Sequence, residues 1–223
     1  MRHDPPSPDR PFLSVNFVAS VDGRTTVSGE SRRLSGAADR ELFYALRERV
    51  DAVLVGPNTL AAERYKRMLP QHERRARRQS AGRDPEPLMV TVTRSGRLPF
   101  EIPIFQEPEA RILVFASDPP VAAGLAATVE YAPLTTLPDA MRALHNSHGI
   151  RTLLCEGGPG LFTALLVDRL VDELLLTVAP TLIGRDGEAA LVSGGALPAP
   201  IQAAPLSVLE RDGTLFLRYR IGG

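Results

Sequence analysis

The segment Arg151-Thr-Leu-Leu-Cys-Glu156-Gly157-Gly158-Pro159-Gly160-Leu161 constrains this chain more than any other. A short apolar run ends in an acid, glycines and a proline follow, and an apolar-periodic stretch then runs from Leu161 to Leu170. Read physically, that order is a buried strand, a turn of minimal bulk and the first turn of a helix. N–H groups at a helix start lack partners within the helix, and glycine lets a ligand approach the main chain closely. Such a turn suits a phosphate or pyrophosphate. Glu156 falls at the strand's carboxyl end, where open α/β sheets place their ligands. An ordinary strand-to-helix turn carries the same signature, so the segment limits the architecture before it names a ligand.

The same rhythm runs along most of the chain. Phe12 to Val18, Ala52 to Val55, Leu88 to Thr93, Ile112 to Ala116 and Glu173 to Ala179 read as strands. Ala37 to Arg49 carries Ala38, Leu42, Ala45, Leu46 and Arg49 at helical spacing after Ser35 as N-cap, and Thr135 to His148 is a second helix. Leu206 to Glu210 and Leu215 to Ile221 alternate around Arg211-Asp212-Gly213-Thr214, a hairpin signal. Strands alternating with helices predict an α/β fold: a mostly parallel central sheet flanked by helices, with a C-terminal antiparallel hairpin at one edge. Residues 1–11, polar and proline-rich, are expected to be a disordered lead-in without a secretory signal, and 12–223 a single domain. Pro70 to Pro87 is expected to be the least structured part.

Lysine plus arginine equals aspartate plus glutamate at 26 each, so no overall charge draws the chain to nucleic acid or a membrane. Arg74, Arg75, Arg77, Arg78 and Arg83 form either a nucleic-acid patch or a solvated loop; no aromatic residue is interleaved, which favours the loop. The single cysteine, Cys155, excludes a disulfide scaffold and reads as a small buried hydrophobe. No apolar run approaches the ~18 residues that span a bilayer. The expected compartment is the cytosol. Asp22, before Gly23, is expected to fix its own turn through an Asx-type bond rather than act as an acid.

Three segments line up in order. They are Ala19-Ser-Val-Asp-Gly-Arg-Thr25 running on to Ser28-Gly-Glu-Ser31; Leu46-Arg47 followed by Asp51-Ala-Val-Leu-Val-Gly-Pro-Asn-Thr-Leu60; and the Glu156 turn followed by Leu170-Val-Asp-Glu-Leu174 and Ala179-Pro-Thr-Leu-Ile-Gly184. Together they resemble the reductase half of the bifunctional riboflavin-biosynthesis pyrimidine deaminase/reductase, of dihydrofolate-reductase-like fold, from about residue 12 to the carboxyl end. The zinc pattern of the deaminase half is absent from this sequence. The resemblance implies NADPH as hydride donor and a phosphoribosylamino-pyrimidine as substrate, reduced at the sugar C1′. It also implies Ala19, Thr59, Glu63, Arg94 and the run Gly157, Gly158, Pro159, Gly160 and Leu161 as cofactor contacts. Thr59 otherwise reads as a plain N-cap, and Arg94 as either a 2′-phosphate partner or a solvated loop charge. For the substrate the resemblance implies Ser31, Arg47 and Glu156, with Glu156 or a bound water as candidate proton donor. Bonds to local backbone amides are the other fate open to Glu156, and snorkelling is the other fate open to Arg47.

The match departs from the family at one place. An Asp-Asp-Pro-x-Leu-Thr-x-Arg stretch usually follows the Gly-x-x-Thr turn, and its last arginine helps hold the substrate phosphate. Here the chain reads Ala61-Ala-Glu-Arg-Tyr-Lys-Arg-Met-Leu69, which leaves Arg64, Lys66 and Arg67 as candidates for that phosphate. Position 33 is arginine where an aromatic often meets the cofactor. A pterin or dihydrofolate reductase and a non-catalytic NADPH-binding relative are the alternative readings. Relatives are commonly homodimers, for which the carboxyl-terminal strands are the candidate interface.

Overall fold

The computed structural model describes residues 9–118, 124–185 and 187–222. Its elements in chain order are β1 (Phe12–Ser20), α1 (Ala37–Arg49), β2 (Ala52–Leu54), α2 (Pro57–Glu63), α3 (His72–Ser80), β3 (Leu88–Thr93), β4 (Arg111–Ala116), β5 (Thr128–Pro133), α4 (Leu137–Asn146), β6 (Thr152–Cys155), α5 (Pro159–Val167), β7 (Glu173–Ala179), β8 (Ala203–Arg211) and β9 (Thr214–Ile221). All the strands join one sheet in the order β5-β4-β3-β2-β6-β1-β7-β9-β8. Pairing is parallel from β5 to β7, and β9 and β8 then add antiparallel. The predicted fold class is therefore the observed one.

Alternation along the central strands sends side chains to two cores. Leu13, Val15, Leu54, Val90 and Cys155 face one, covered by Met141 and Leu144 of α4 and Phe162 and Leu165 of α5. Val53, Val55, Met89 and Leu154 face the other, under Leu60 of α2 and Tyr65, Met68, Ile104 and Phe105 of the connecting segments. Burial on both faces is what a parallel sheet requires. The hairpin predicted at Arg211–Thr214 joins β8 to β9, with Asp212 and Gly213 both at positive φ, as a tight two-residue turn requires.

The segment Pro70–Pro87, expected to be unstructured, is instead built around α3. Arg74 and Arg78 are its buried residues. Arg74 reaches Glu41 and Glu48, and Arg77 binds Glu48 at 2.6 Å. Arg78 Nη1 donates to the carbonyls of Arg47, Glu48 and Val50, and Arg83 donates to that of Arg49. These are the orphan carbonyls that end α1, so guanidinium groups cap that helix and meet the negative end of its dipole. Neither a nucleic-acid patch nor a solvated loop describes these residues. β5, an edge strand, was also not anticipated.

Two caps differ from expectation. Gly36, not Ser35, is the N-cap of α1, and Ser35 Oγ donates to Asp39 instead. Asp22 accepts from Ser20 Oγ and from the N–H groups of Ile183 and Gly184, so it braces a distant loop more than its own turn. The expected disordered lead-in lies mostly outside the described residues. Of the rest, Arg10 forms a paired contact with both carboxylate oxygens of Asp172 at 2.7 and 2.8 Å.

Candidate active site

A cleft of about 1240 Å³ opens at the carboxyl ends of β1, β2, β3 and β6, the four strands at the centre of the sheet. Ligand sites of open α/β sheets lie there because the loops leaving those ends diverge. Every site residue expected from the sequence lines this cleft except Ala19 and Gly157. Ala19 is buried within β1 opposite Val178, while its neighbours Asn16, Phe17 and Val18 form the wall.

The floor is a closed cluster. Arg47 donates from Nε and Nη2 to the two oxygens of Glu156, both at 2.7 Å, and from Nη1 to the Met68 carbonyl at 2.9 Å. Tyr65 Oη donates to Glu156 Oε2 at 2.7 Å. The Arg47 guanidinium also lies 4.0 Å from the Phe43 ring centre and 5.3 Å from that of Tyr65. Only 6% of the Arg47 side chain and 2% of the Glu156 side chain are exposed. Burial alone works against the Arg47 charge, but the Glu156 carboxylate outweighs it and holds the pKa above its ordinary value. Burial and the same carboxylate push the Tyr65 phenol well above its ordinary pKa, which keeps it a hydrogen-bond donor. Within the protein Glu156 is held by Arg47 and Tyr65 rather than by local backbone amides, and Arg47 is buried rather than snorkelling. The Glu156 carboxylate accepts from a cation and a phenol.

The glycine turn is shaped by close approach. Gly157 has φ +92°, and a Cβ there would stand 3.3 Å from the Phe17 ring. A Cβ on Gly158 would come within 2.7 Å of Thr59 Oγ1. Gly56 N–H donates to the Gly157 carbonyl at 2.8 Å, tying the turn after β2 to the turn after β6. Gly158 is the N-cap of α5 and no side chain caps that helix, so its first N–H groups face the cleft beside Pro159, Gly160 and Leu161. Thr59 is not an N-cap, since Gly56 holds that position in α2.

Glu63 and Ser31, expected to touch different ligands, touch each other. Glu63 Oε1 accepts from Ser31 N–H and Oγ, both at 2.8 Å. Glu188 braces the same loop by accepting from Thr26 Oγ1 and the Ser28 N–H. Among the phosphate candidates, Arg67 is taken by Glu86, Glu107 and Glu109. Arg64 and Lys66 are exposed at the rim with no side-chain partner among the described residues, and Arg64 caps α2 with a left-handed backbone, φ 45°. Arg94 and Arg97, both exposed, line the cleft from the loop that follows β3.

Sequence reasoning missed Asn16, Asp39, Phe43, Tyr65 and Arg97, all of which line the cleft. The Asn16 Oδ1 atom is buried without a protein partner. A usable signal was present for part of this set: Asp39, Phe43 and Arg47 recur every four residues along α1. Burial pushes the Cys155 thiol up to about 12, so it is not a nucleophile at neutral pH. Among the described residues there is no His, Cys, Asp or Glu group fit for a metal ion, and no helix is long and apolar enough to cross a membrane.

Residues 11–214 match the RibD C-terminal domain family. The 2,5-diamino-6-ribosylamino-4(3H)-pyrimidinone 5′-phosphate reductase of Archaeoglobus fulgidus is 33% identical over 185 residues, covering 78% of this chain and 83% of that protein. Among solved structures, a pyrimidine reductase-like protein from Corynebacterium diphtheriae superposes with TM-score 0.81 at 24% identity, over 96% of this chain and 93% of that one. Dihydrofolate reductase from Enterococcus faecalis gives TM-score 0.53 at 10% identity, over 95% and 97% of the two chains. These two structures share the fold.

Proposed function

Because the chain belongs to the RibD C-terminal domain family, a family of reductases that use a nicotinamide cofactor, we propose that it is an NADPH-dependent reductase of a phosphoribosylamino-pyrimidine in riboflavin biosynthesis. The substrate is 2,5-diamino-6-ribosylamino-4(3H)-pyrimidinone 5′-phosphate, the compound named for the Archaeoglobus relative, or its deaminated uracil counterpart. The observation that carries this reading is the cleft itself: one continuous space with the uncapped start of α5 and two separate sets of unpaired cations around it.

The residues fit the cofactor. A pyrophosphate suits the N–H groups of Gly160 and Leu161 at the α5 start, in a turn so close to α2 that a side chain on Gly158 would strike Thr59 Oγ1. A 2′-phosphate suits Arg94 and Arg97, which is the basis for choosing NADPH over NADH. When bound, the nicotinamide supplies hydride to C1′ of the ring-opened sugar imine. The protein's own residues position the substrate and exclude water. Arg47, Glu156 and Tyr65 form a rigid floor whose hydrogen bonds are already made, so they cost little reorganisation when the site fills. Arg64 and Lys66 meet the substrate phosphate, replacing the arginine that the family motif places further along; Arg67 is excluded by its three carboxylates.

The exposed edge strand β8 supports a homodimer. All its residues are exposed, including Val208 at 60% and Leu209 at 64%, and an uncovered apolar edge is a pairing surface. Light scattering on the purified protein reads the mass directly.

The activity test is NADPH consumption with the ribosylamino-pyrimidine phosphate, and with dihydrofolate as the control. Oxidation dependent on the pyrimidine supports the reading. Turnover of dihydrofolate alone assigns the cleft to a pterin instead.

A further inference from the structure

Helix α1 carries an anomaly that the floor of the site does not absorb. Its two buried side chains are both charged, Asp39 and Arg47, two turns apart on the stripe that faces the cleft. Arg47 is matched by Glu156 and a carbonyl. Asp39, with the residue 6% exposed, has one partner: Ser35 Oγ donates to Oδ2, and Oδ1 meets no protein donor among the described residues. Several cations line the same cleft, yet none forms an ion pair with it. Oδ1 is not among the enclosed side-chain atoms that lack a partner, so it is open to the cleft, where a donor on a ligand can reach it. The first-turn position of Asp39 gains a little from the helix dipole, but that gain needs no burial.

We propose that Asp39 reads the base of the substrate, accepting from the ring N–H and the neighbouring exocyclic amine of a 2-aminopyrimidinone, and thereby selects the amino base over the deaminated one. The inference rests on the reductase reading above. Phosphates are repelled by a carboxylate and go to the cationic rims, which leaves the uncharged, donor-bearing parts of the ligand. One turn along the same stripe stand Phe43 and Tyr44, whose rings are 5.6 Å apart, and aromatic surface suits a flat heterocycle rather than a sugar chain.

The donor pattern then decides between the two bases. In the 2-amino form, N3–H and the amine are adjacent donors and match the two oxygens of a carboxylate. In the uracil form, N3–H lies between carbonyls, so a carbonyl oxygen would face a carboxylate oxygen. A site built around paired donors rejects the analogue that lacks one, typically by tenfold or more. Asn16, whose Oδ1 also lacks a partner, adds a further acceptor to the same cleft.

The test compares kcat/KM for the two ribosylamino-pyrimidine phosphates in the parent protein and in Asp39→Asn. An amide offers one acceptor and one donor, which complements the uracil edge. The parent is expected to favour the amino substrate, and D39N to shift the ratio toward uracil by about tenfold or more. Affinity for NADPH and the thermal midpoint are expected to stay unchanged. A parent that favours uracil, or a folded D39N that keeps the parent ratio, overturns the proposal. Should D39N fail to fold, calorimetry on the parent with the free bases decides: a triaminopyrimidinone binds and diaminouracil does not, whereas equal binding refutes it. If the parent turns over neither phosphate, the reductase reading fails, and the same calorimetry still scores Asp39.

Discussion

Two arginine-rich regions of this protein look alike in sequence and end differently. On α3, Arg74, Arg77 and Arg78 are consumed by Glu41, Glu48 and the last carbonyls of α1. Around the cleft, Arg64, Arg94 and Arg97 are exposed and have no carboxylate partner among the described residues. What differs is the supply of acceptors, not the residue. A helix C-terminus offers unpaired carbonyls, and cations pack onto them. Around Arg64, Arg94 and Arg97 the rim offers none among the described residues, although Arg67 on the same cleft is taken by Glu86, Glu107 and Glu109. Charge that is spent stabilises the fold, and the free charge is where the proposed function puts the ligand phosphates.

The sharpest way to break that contrast is at the floor. Arg47→Met would strand the Glu156 carboxylate in a buried site, and stability should fall by about 3–5 kcal/mol in urea unfolding. A loss under about 1 kcal/mol would show that the pair is not closed as described. Next, Arg78→Ala releases several α1 carbonyls at once. It should cost about 1–3 kcal/mol and raise amide exchange across residues 72–83. Unchanged exchange there would mean that α3 docks by other contacts.

Acid should separate the two regions without mutation. The Arg77 hydrogen bond, with help from Arg74, pulls the Glu48 carboxyl down to about 2 from 4.5. A depressed carboxylate pKa stabilises the fold above the unfolded value, and that contribution fades as pH falls through the folded one. The α1–α3 contact should therefore weaken progressively below about pH 4.5, seen as loss of α3 amide protection. Glu48→Gln should abolish that part of the response. The smallest stability effect belongs to the double change Arg94→Ala with Arg97→Ala, expected within about 0.5 kcal/mol of the parent. Its affinity for NADPH should nonetheless fall, with a shallower salt dependence, while NADH binding is unchanged. Equal losses for both cofactors would move the 2′-phosphate elsewhere.

Legibility in the sequence follows where apolar periodicity carries burial. Leu88–Thr93 and Glu173–Ala179 are legible to their ends because both are short, mostly apolar runs rich in aliphatic residues and threonine. α3 was missed because its buried positions, Arg74 and Arg78, keep a helical spacing in arginines rather than in leucines. On α1 the apolar positions located the helix, yet the fully buried residues are Asp39 and Arg47. β5 is a short edge strand ending at Pro133, without an apolar run to announce it. The glycine turn after Glu156 was readable because steric demand is local. The partner of Glu156 was not, because Arg47 lies 109 residues away and Tyr65 lies 91 away. Tyr65 sits in the stretch that departs from the family motif, so the resemblance gave no reason to look there.

A crystal structure of the protein with NADPH bound tests the central claim most directly. The account predicts the pyrophosphate on the Gly160 and Leu161 N–H groups, the 2′-phosphate between Arg94 and Arg97, and the Arg47–Glu156–Tyr65 cluster unmoved. A dinucleotide bound away from the α5 start, or a floor that must open to admit it, would contradict that claim.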